Sequence, residues 1–358
     1  MRVAVVGGGI IGCACAFELA RRGADVTVFD MRHPGGGATQ ASAGILAPYV
    51  EGHANEALLD LGIRGLDAYD EFVTEVRRAA DVEFEYRRSG SLELADSEAH
   101  STALLSKAKP LLESGVLEWQ DRSQVSALEP AVRTTQCGGL LCRVHGHVAV
   151  APFMTALVRA AQRVGVGFRT GRVVDASFDK SQCAVITGED RFHFDRIVLS
   201  TGGWASLLDP LGEIRGAIKP IRGELVVLSW SSTPIQRVLW GPSCYIVPWQ
   251  DGTLLVGATA EDVGFDERAT VRGLSMLLAA AGDLLQDLDR ATFQGVRVGL
   301  RPASSSGLPL IGPSSLDSRL VYATGHFRNG VLLAPLTAKL VAGYLLEGQR
   351  DAAFEIGA

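Results

Sequence analysis

A discontinuous parallel α/β body carrying a β-rich α+β insertion is the fold class this sequence predicts, on three observations. Arg2 to Asp30 reads strand, glycine turn, helix, strand. A strand–loop–helix unit closes the chain at Leu320 to Leu346. Between them lie segments alternating with period two, the mark of antiparallel sheet and not of repeated βαβ units.

Taken in order, Arg2–Val6 is a β-branched apolar run, hence a buried strand, and Gly7 to Gly12 is the turn that follows it. Cys13 to Arg22 has helical spacing at Ala16, Leu19 and Ala20, with Arg21 and Arg22 where a helix C-terminus favours cations and Gly23 as its stop. Val26 to Asp30 is the second strand of a right-handed βαβ unit. Pro34 to Gly37 is a turn, and the small residues from Thr39 to Gly44 suit close approach of backbone to a ligand. Leu58 to Ala80 predicts one amphipathic helix, Phe84 to Ala95 strands around Ser89-Gly90, and the following residues helices through about Leu128. Pro152 to Val164 predicts a helix, Arg172 to Val174 the start of a strand, and Arg196 to Ser200 a buried strand. Lys219 to Trp230 and Ser243 to Ala258 alternate as strands facing a pocket would, and Met276 to Leu288 is helical.

With 358 residues, 47% hydrophobic and 21% charged, the chain is long enough for two domains and too apolar for disorder. A net charge of −6 offers no basic field for nucleic acid. Six scattered cysteines without a CxxC pair predict reduced thiols in a cytoplasmic protein, with neither a disulfide framework nor a metal site. Val3 to Ala20 is nearly all apolar, but Gly7 to Gly9 breaks it and Glu18 with Arg21-Arg22 closes it too soon for a membrane span. His145 and His147 flank a glycine with no carboxylate or thiol at ligand spacing, and are expected at the surface.

Gly7, Gly9 and Gly12 match G-x-G-x-x-G. The first permits the tight turn, the second lets a pyrophosphate approach the backbone, and the third packs helix on strand. Helix N–H groups then face the phosphates, and Asp30 at the end of the second strand can accept from ribose hydroxyls. This Rossmann-like fingerprint serves NAD and FAD alike.

Downstream segments separate the two. VAVVGGGIIGCACAFELARRGADVTVFD (3–30), ATQASAGILAP (38–48), VLSTGGWAS (198–206), GLRPASSSGLPLIG (299–312) and ATGHFRNGVLLAP (323–335) together resemble the FAD-dependent D-amino acid oxidase superfamily, and within it the glycine oxidase branch of bacterial thiazole biosynthesis. The resemblance implies a discontinuous Rossmann-like FAD-binding domain at 1–88, 145–215 and 299–358, with a substrate domain at 89–144 and 216–298. It places Asp30 at the ribose, Val173 by the adenine, and Thr39, Ala43, Gly44 and Ile45 along the flavin. Ile11 and Gly202 join them at the cofactor, with backbone from His326, Phe327, Asn329, Gly330 and Val331 at the isoalloxazine edge. The positive end of the last helix there would stabilise negative charge on reduced flavin. FAD is expected to be non-covalent, because the stretch Arg301 to Gly312 has no cysteine.

For the substrate, Arg301 in GLRP and Tyr245 in CYIVP match the family's carboxylate-binding pair, and Arg328 another arginine near the site. A guanidinium grips a carboxylate through two parallel N–H bonds and a phenol adds a third. The implied reaction is oxidative deamination of a small amino acid (glycine, sarcosine or a D-amino acid). Hydride passes from the α-carbon to flavin N5 with no acid–base residue, and O2 reoxidises the flavin to give hydrogen peroxide. His326 is expected to be structural. Ser243 and Ala260 stand where the glycine oxidase pattern has histidine and methionine, so the pocket is expected to be roomier or more polar. Alternatives left open are a D-amino acid or D-hydroxyproline dehydrogenase using another electron acceptor, a flavin subunit of a hetero-oligomer, and last an NAD enzyme. A homo-oligomer is expected by analogy.

Overall fold

The computed structural model describes residues 1–51, 55–188 and 190–353. Its strands form four sheets among the described residues, two of them large. The six-stranded sheet runs in the order Leu310–Pro313, Leu320–Thr324, Arg196–Leu199, Arg2–Val6, Asp25–Asp30, Gly167–Thr170. All neighbours in it are parallel except the outermost pair, Leu310–Pro313 with Leu320–Thr324. Parallel strands are covered on both faces, which explains why the inner strands Arg2–Val6, Arg196–Leu199 and Leu320–Thr324 are almost wholly buried while the edge strand Gly167–Thr170 is largely exposed. Helices Ile10–Arg21 and Gly330–Glu347 pack together on one face, with Val150–Arg163 beside the first. The small sheet of Asp175–Phe178, Cys183–Thr187 and Asp190–Phe194 contributes Ala176, Val185 and Phe194 to the core on the other. Gly330–Glu347 is long and apolar enough to cross a bilayer, but it is a core helix with 61% of that stretch buried.

The eight-stranded sheet is mixed, in the order Thr292–Ser304, Ile218–Ser229, Thr253–Gly257, Tyr245–Pro248, Val238–Trp240, Ser91–Ala95, Gly138–Cys142, Glu118–Asp121. Its backbone is the antiparallel ribbon of Ile218–Ser229 with Thr292–Ser304, which pair over their whole length from Ile218 opposite Ser304 to Ser229 opposite Thr292. Helix Val271–Leu284 packs on one face with Leu277, Ala281 and Leu284. The other face, with Leu225, Val238, Trp240, Val247 and Leu255, packs on Ala43 and Ala47.

Several local expectations give way. The helix expected over 58–80 is two, Glu56–Asp67 and Tyr69–Ala80, meeting at Ala68. The strands expected around Ser89-Gly90 are present as Tyr86–Arg87 and Ser91–Ala95; they join different sheets, with Gly90 (φ 86°) at the change of direction. The helical region to Leu128 contains strand Glu118–Asp121 at a sheet edge, where its polar residues can face water. The strand expected to begin at Arg172 begins three residues later, as Asp175–Phe178, and another strand precedes it at Gly167–Thr170, so Arg172 to Val174 lie between the two and line the ligand cavity. Thr292–Ser304 carries Gly295, Gly299, Arg297 and Arg301 in a strand that periodicity did not reveal.

His145 and His147 are a correction of a different kind, because both are fully buried. His145 bonds Ser91 Oγ through Nδ1 at 2.7 Å and accepts the Tyr49 N–H at Nε2 at 3.3 Å. His147 Nε2 lies 3.5 Å from Glu85 Oε1. Both flank Gly146, whose backbone runs so close to Arg87 that a Cβ would lie 2.1 Å from its carbonyl oxygen. Tyr49 stacks on the His145 ring at 5.5 Å, and His147 lies in the middle strand of the small three-stranded sheet.

Candidate active site

The two sheets meet at a cavity of about 700 Å³. The expected residues that line it are Gly7, Gly9, Ile11, Asp30, Thr39, Ala43, Gly44, Ile45, Val173 and Gly202, then Tyr245, Arg301, His326, Phe327, Arg328, Asn329, Gly330 and Val331. Gly12 stands just behind the lining, where a Cβ would fall 1.8 Å from the Gly7 carbonyl oxygen. Gly7 (φ 107°) is in the left-handed region and would collide with Ser200, so two of the three glycines are fixed by the protein itself. Gly9 differs. A Cβ there meets nothing closer than Thr39 Oγ1 at 3.4 Å, which leaves its open side to the cavity.

Two helix N-termini border this space. Ile10–Arg21 begins at the glycine turn, with Thr39 Oγ1 accepting the Ile10 N–H at 3.1 Å, and Gly330–Glu347 begins in the 325–330 loop. N–H groups of a first turn have no intrahelical acceptors, so both ends offer donors and positive potential. Asp30 fixes the first of these sites from the side. Its Oδ2 accepts the Gly8 N–H at 2.6 Å and its Oδ1 the Arg32 N–H at 2.8 Å, so it braces the glycine turn and still lines the cavity. Thr201 Oγ1, another buried atom of the lining residues, has no partner. A long cavity bearing a close-approach glycine, a carboxylate and two donor-bearing helix ends fits FAD.

His326 turns away from this chemistry. Its ring is buried and bonds Thr337 Oγ1 through Nε2 at 3.0 Å. Burial pushes its pKa down to about 3, so the ring is neutral. Its loop is tied to the long ribbon by the Phe327 N–H donating to the Pro302 carbonyl at 2.9 Å.

At the substrate end, Arg301 and Tyr245 are both half-buried. Arg301 Nη1 donates to the Thr259 carbonyl oxygen at 2.8 Å. Its guanidinium lies over Gly223, where a Cβ would come within 2.2 Å of Nη1. Tyr245 lies over Gly257 in the same way, with a Cβ at 2.5 Å from the phenolic oxygen, and its ring meets Trp240 edge-on at 5.3 Å. Gly223 and Gly257 sit on neighbouring strands and together make the floor on which both side chains lie. Sequence reasoning passed over Gly223, Gly257, Trp240 and Thr259; an isolated glycine in an alternating strand is the signal that points to the first two. Arg328 is exposed, with its guanidinium 5.5 Å from the Phe327 ring. Ser243 lines the cavity, whereas Ala260 is exposed and lies outside it. Among the described residues, no group of three or more His, Cys, Asp or Glu could hold a metal ion.

The chain is similar to known proteins over nearly its whole length. The family model for FAD-dependent oxidoreductases matches residues 2–344. The bifunctional protein ThiO/ThiG of Synechocystis sp. is 33% identical over 96% of this chain, and this chain spans about half (51%) of that longer relative. Glycine oxidase of Geobacillus kaustophilus is 30% identical over 99% of this chain and 94% of its own. The crystal structure of glycine oxidase from that species superposes with a TM-score of 0.93, covering 99% and 98% of the two chains. Iminodiacetate oxidase from Chelativorans sp. BNC1 follows at 28% identity and a TM-score of 0.86, over 98% and 96%. With the family model spanning residues 2–344, a range that holds both the glycine turn and the 325–330 loop, this chain belongs to the family of FAD-dependent oxidoreductases.

Proposed function

We propose that the chain is an amine oxidase that takes a small amino acid, whether glycine, sarcosine or a D-amino acid, by its carboxylate. The observation that carries this reading is the placement of Arg301 and Tyr245 side by side over Gly223 and Gly257, within the cavity that the 326–331 loop borders. The guanidinium offers a planar fork and the phenol a further donor, an arrangement suited to a carboxylate. Bound FAD would supply the two-electron acceptor for hydride from the α-carbon, with O2 taking those electrons to give hydrogen peroxide and water converting the imine to a 2-oxo acid and ammonia, or methylamine when the amine is sarcosine.

The chain's own part is orientation. Arg301 is fixed by Thr259 before substrate arrives, so little freedom is lost on binding. No side chain is assigned an acid–base step, and the neutral His326 bonded to Thr337 agrees with that. FAD is held without a covalent bond in this reading. Cys244 is the cysteine among the described cavity residues, and burial pushes its thiol up to about 12, away from the reactive thiolate. Gly7, Gly9, Ile11, Gly12, Asp30, Thr39, Ala43, Gly44, Ile45, Val173, Gly202 and the 326–331 loop are the proposed cofactor residues. They belong to a binding unit of 1–88, 145–215 and 299–358. Arg328, exposed at the cavity, is proposed to meet substrate at its entrance. Six free cysteines support a reducing cytoplasm, and a homo-oligomer completes the proposal.

The test is anaerobic bleaching of the flavin's visible band by a panel of glycine, sarcosine, small and bulky D-amino acids and D-hydroxyproline, followed by air. Bleaching with fast recovery and peroxide is the expected result. Bleaching that air does not reverse would replace the oxidase by a dehydrogenase.

A further inference from the structure

We propose that Arg222, which lies outside the cavity lining, is the positioning residue for Arg301 and acts through the strap Thr259–Thr270. This deepens the carboxylate reading above and rests on it.

The strap leaves the sheet after Thr253–Gly257 and ends at Thr270, the N-cap of helix Val271–Leu284. It has no helix or strand of its own, apart from an isolated bridge at Glu261 opposite Arg222. Yet its first residues set the orientation of Arg301, because the acceptor of Arg301 Nη1 is the Thr259 carbonyl, at 2.8 Å. Thr259 is held by Glu224, whose N–H donates to Thr259 Oγ1 at 2.9 Å and whose carbonyl accepts the Thr259 N–H at 3.3 Å.

Arg222 extends that clamp along the strap. Its backbone exchanges two hydrogen bonds with Glu261, at 2.9 and 3.0 Å. Its guanidinium, 4% exposed, reaches Glu261 Oε2 at 2.8 Å, Asp266 Oδ2 at 3.2 Å and the Arg268 carbonyl at 3.1 Å. Glu224, fully buried, lies 3.8 Å from Arg222 Nε and accepts the Thr270 N–H at 2.9 Å. One buried cation thus gathers carboxylates from the middle of the strap and faces a third on its own strand. Removing the Arg222 charge would leave the fully buried Glu224 carboxylate uncompensated and release Glu261 and Asp266, which are partly exposed. Without it, the start of a twelve-residue connection lacking regular structure would keep only its backbone pairing at Glu261 and the Glu224 contacts to hold the Thr259 carbonyl in place. Arg222 and Arg301 stand on neighbouring strands with Arg222 opposite Leu300, so their side chains leave the ribbon on opposite faces and their link runs through Thr259.

The experiment measures the dissociation constant of glycolate, a carboxylate without an amine, from its perturbation of the flavin absorbance of oxidised holoprotein. Arg222→Met should weaken glycolate about tenfold with FAD content unchanged, and Arg222→Lys should restore most of the loss. In an Arg301→Met background, Arg222→Met should change the constant by less than about twofold, because the two act as one unit. Additive losses would overturn the proposal, as would an Arg222→Met protein within about twofold of wild type. If Arg222→Met fails to fold, Glu261→Gln is read in its place, with a loss of roughly threefold expected and none overturning. Equal binding by wild type and Arg301→Met would instead strike the carboxylate reading itself, which separates the two failures.

Discussion

Gly223 and Arg301 occupy one volume: the guanidinium lies where a side chain at 223 would stand, with Cζ and Nη2 each 2.3 Å from the position of a Cβ. Gly223→Ala must therefore move the guanidinium by about an ångström, a displacement that typically costs about a hundredfold in an oriented site. KM for carboxylated amines should rise accordingly while FAD stays bound. Steady-state kinetics on an amine with and without its carboxylate checks this, and an unchanged ratio would remove Arg301 from substrate binding.

The glycine turn separates folding from cofactor binding. Gly12→Ala places a methyl 1.8 Å from the Gly7 carbonyl, an overpacking that should cost about 1–3 kcal/mol or more and lower Tm. Gly9→Ala meets only Thr39 Oγ1 at 3.4 Å, so Tm of the apoprotein should hold while FAD affinity falls. A Gly9→Ala protein that binds FAD as wild type does would contradict the pyrophosphate assignment.

The far end of the strap closes on the cofactor side. Glu267 grips Arg32 through two bonds of 2.7 and 2.9 Å, Arg32 lies 5.0 Å from the Trp204 ring, and Phe265 packs on the same tryptophan at 5.6 Å. Both partners of the ion pair are 30% exposed, so solvent and salt weaken it. Glu267→Gln should speed FAD release about two- to fivefold, and its release rate should respond less to added salt than that of wild type. Flavin fluorescence after dilution gives the rate, and identical salt dependence in the two proteins would count against the latch.

His326 adds a pH dependence to stability. Its pKa is about 3 in the fold against 6.5 for the free side chain, and burial is the cause. Below pH 6.5 the unfolded chain takes up a proton that the folded chain refuses, so stability falls with pH at up to about 1.4 kcal/mol per unit. The loss should run from about pH 6.5 down to about 3. Urea midpoints of wild type and His326→Gln across this window should diverge in slope. Parallel curves would mean that the ring is protonated in the fold.

Much of the cofactor half was legible in the chain because its signals are local. A strand, a glycine turn and a helix stop occupy adjacent residues, and the residues named from five short motifs prove to line one cavity, with Gly12 just behind it. The substrate half was less so. Arg301 and Tyr245 could be named, but the floor beneath them joins Gly223 and Gly257 on different strands, a relation that exists only across the sheet. Strand Thr292–Ser304 escaped notice because glycines and arginines replace the usual β-branched alternation where the ribbon meets ligand. His145 and His147 looked solvated because polar type was read without the packing that buries them.

The turn Gly241–Cys244 joins Val238–Trp240 to Tyr245–Pro248 and lines the cavity without bonding to the six-stranded sheet or the 325–330 loop among the described contacts. Cofactor architecture and amine choice are therefore modular. A mutational drift confined to those four residues can reshape what the pocket accepts while the frame that carries the redox chemistry stays untouched, which makes this hairpin tip the natural place to begin directed evolution toward another amine.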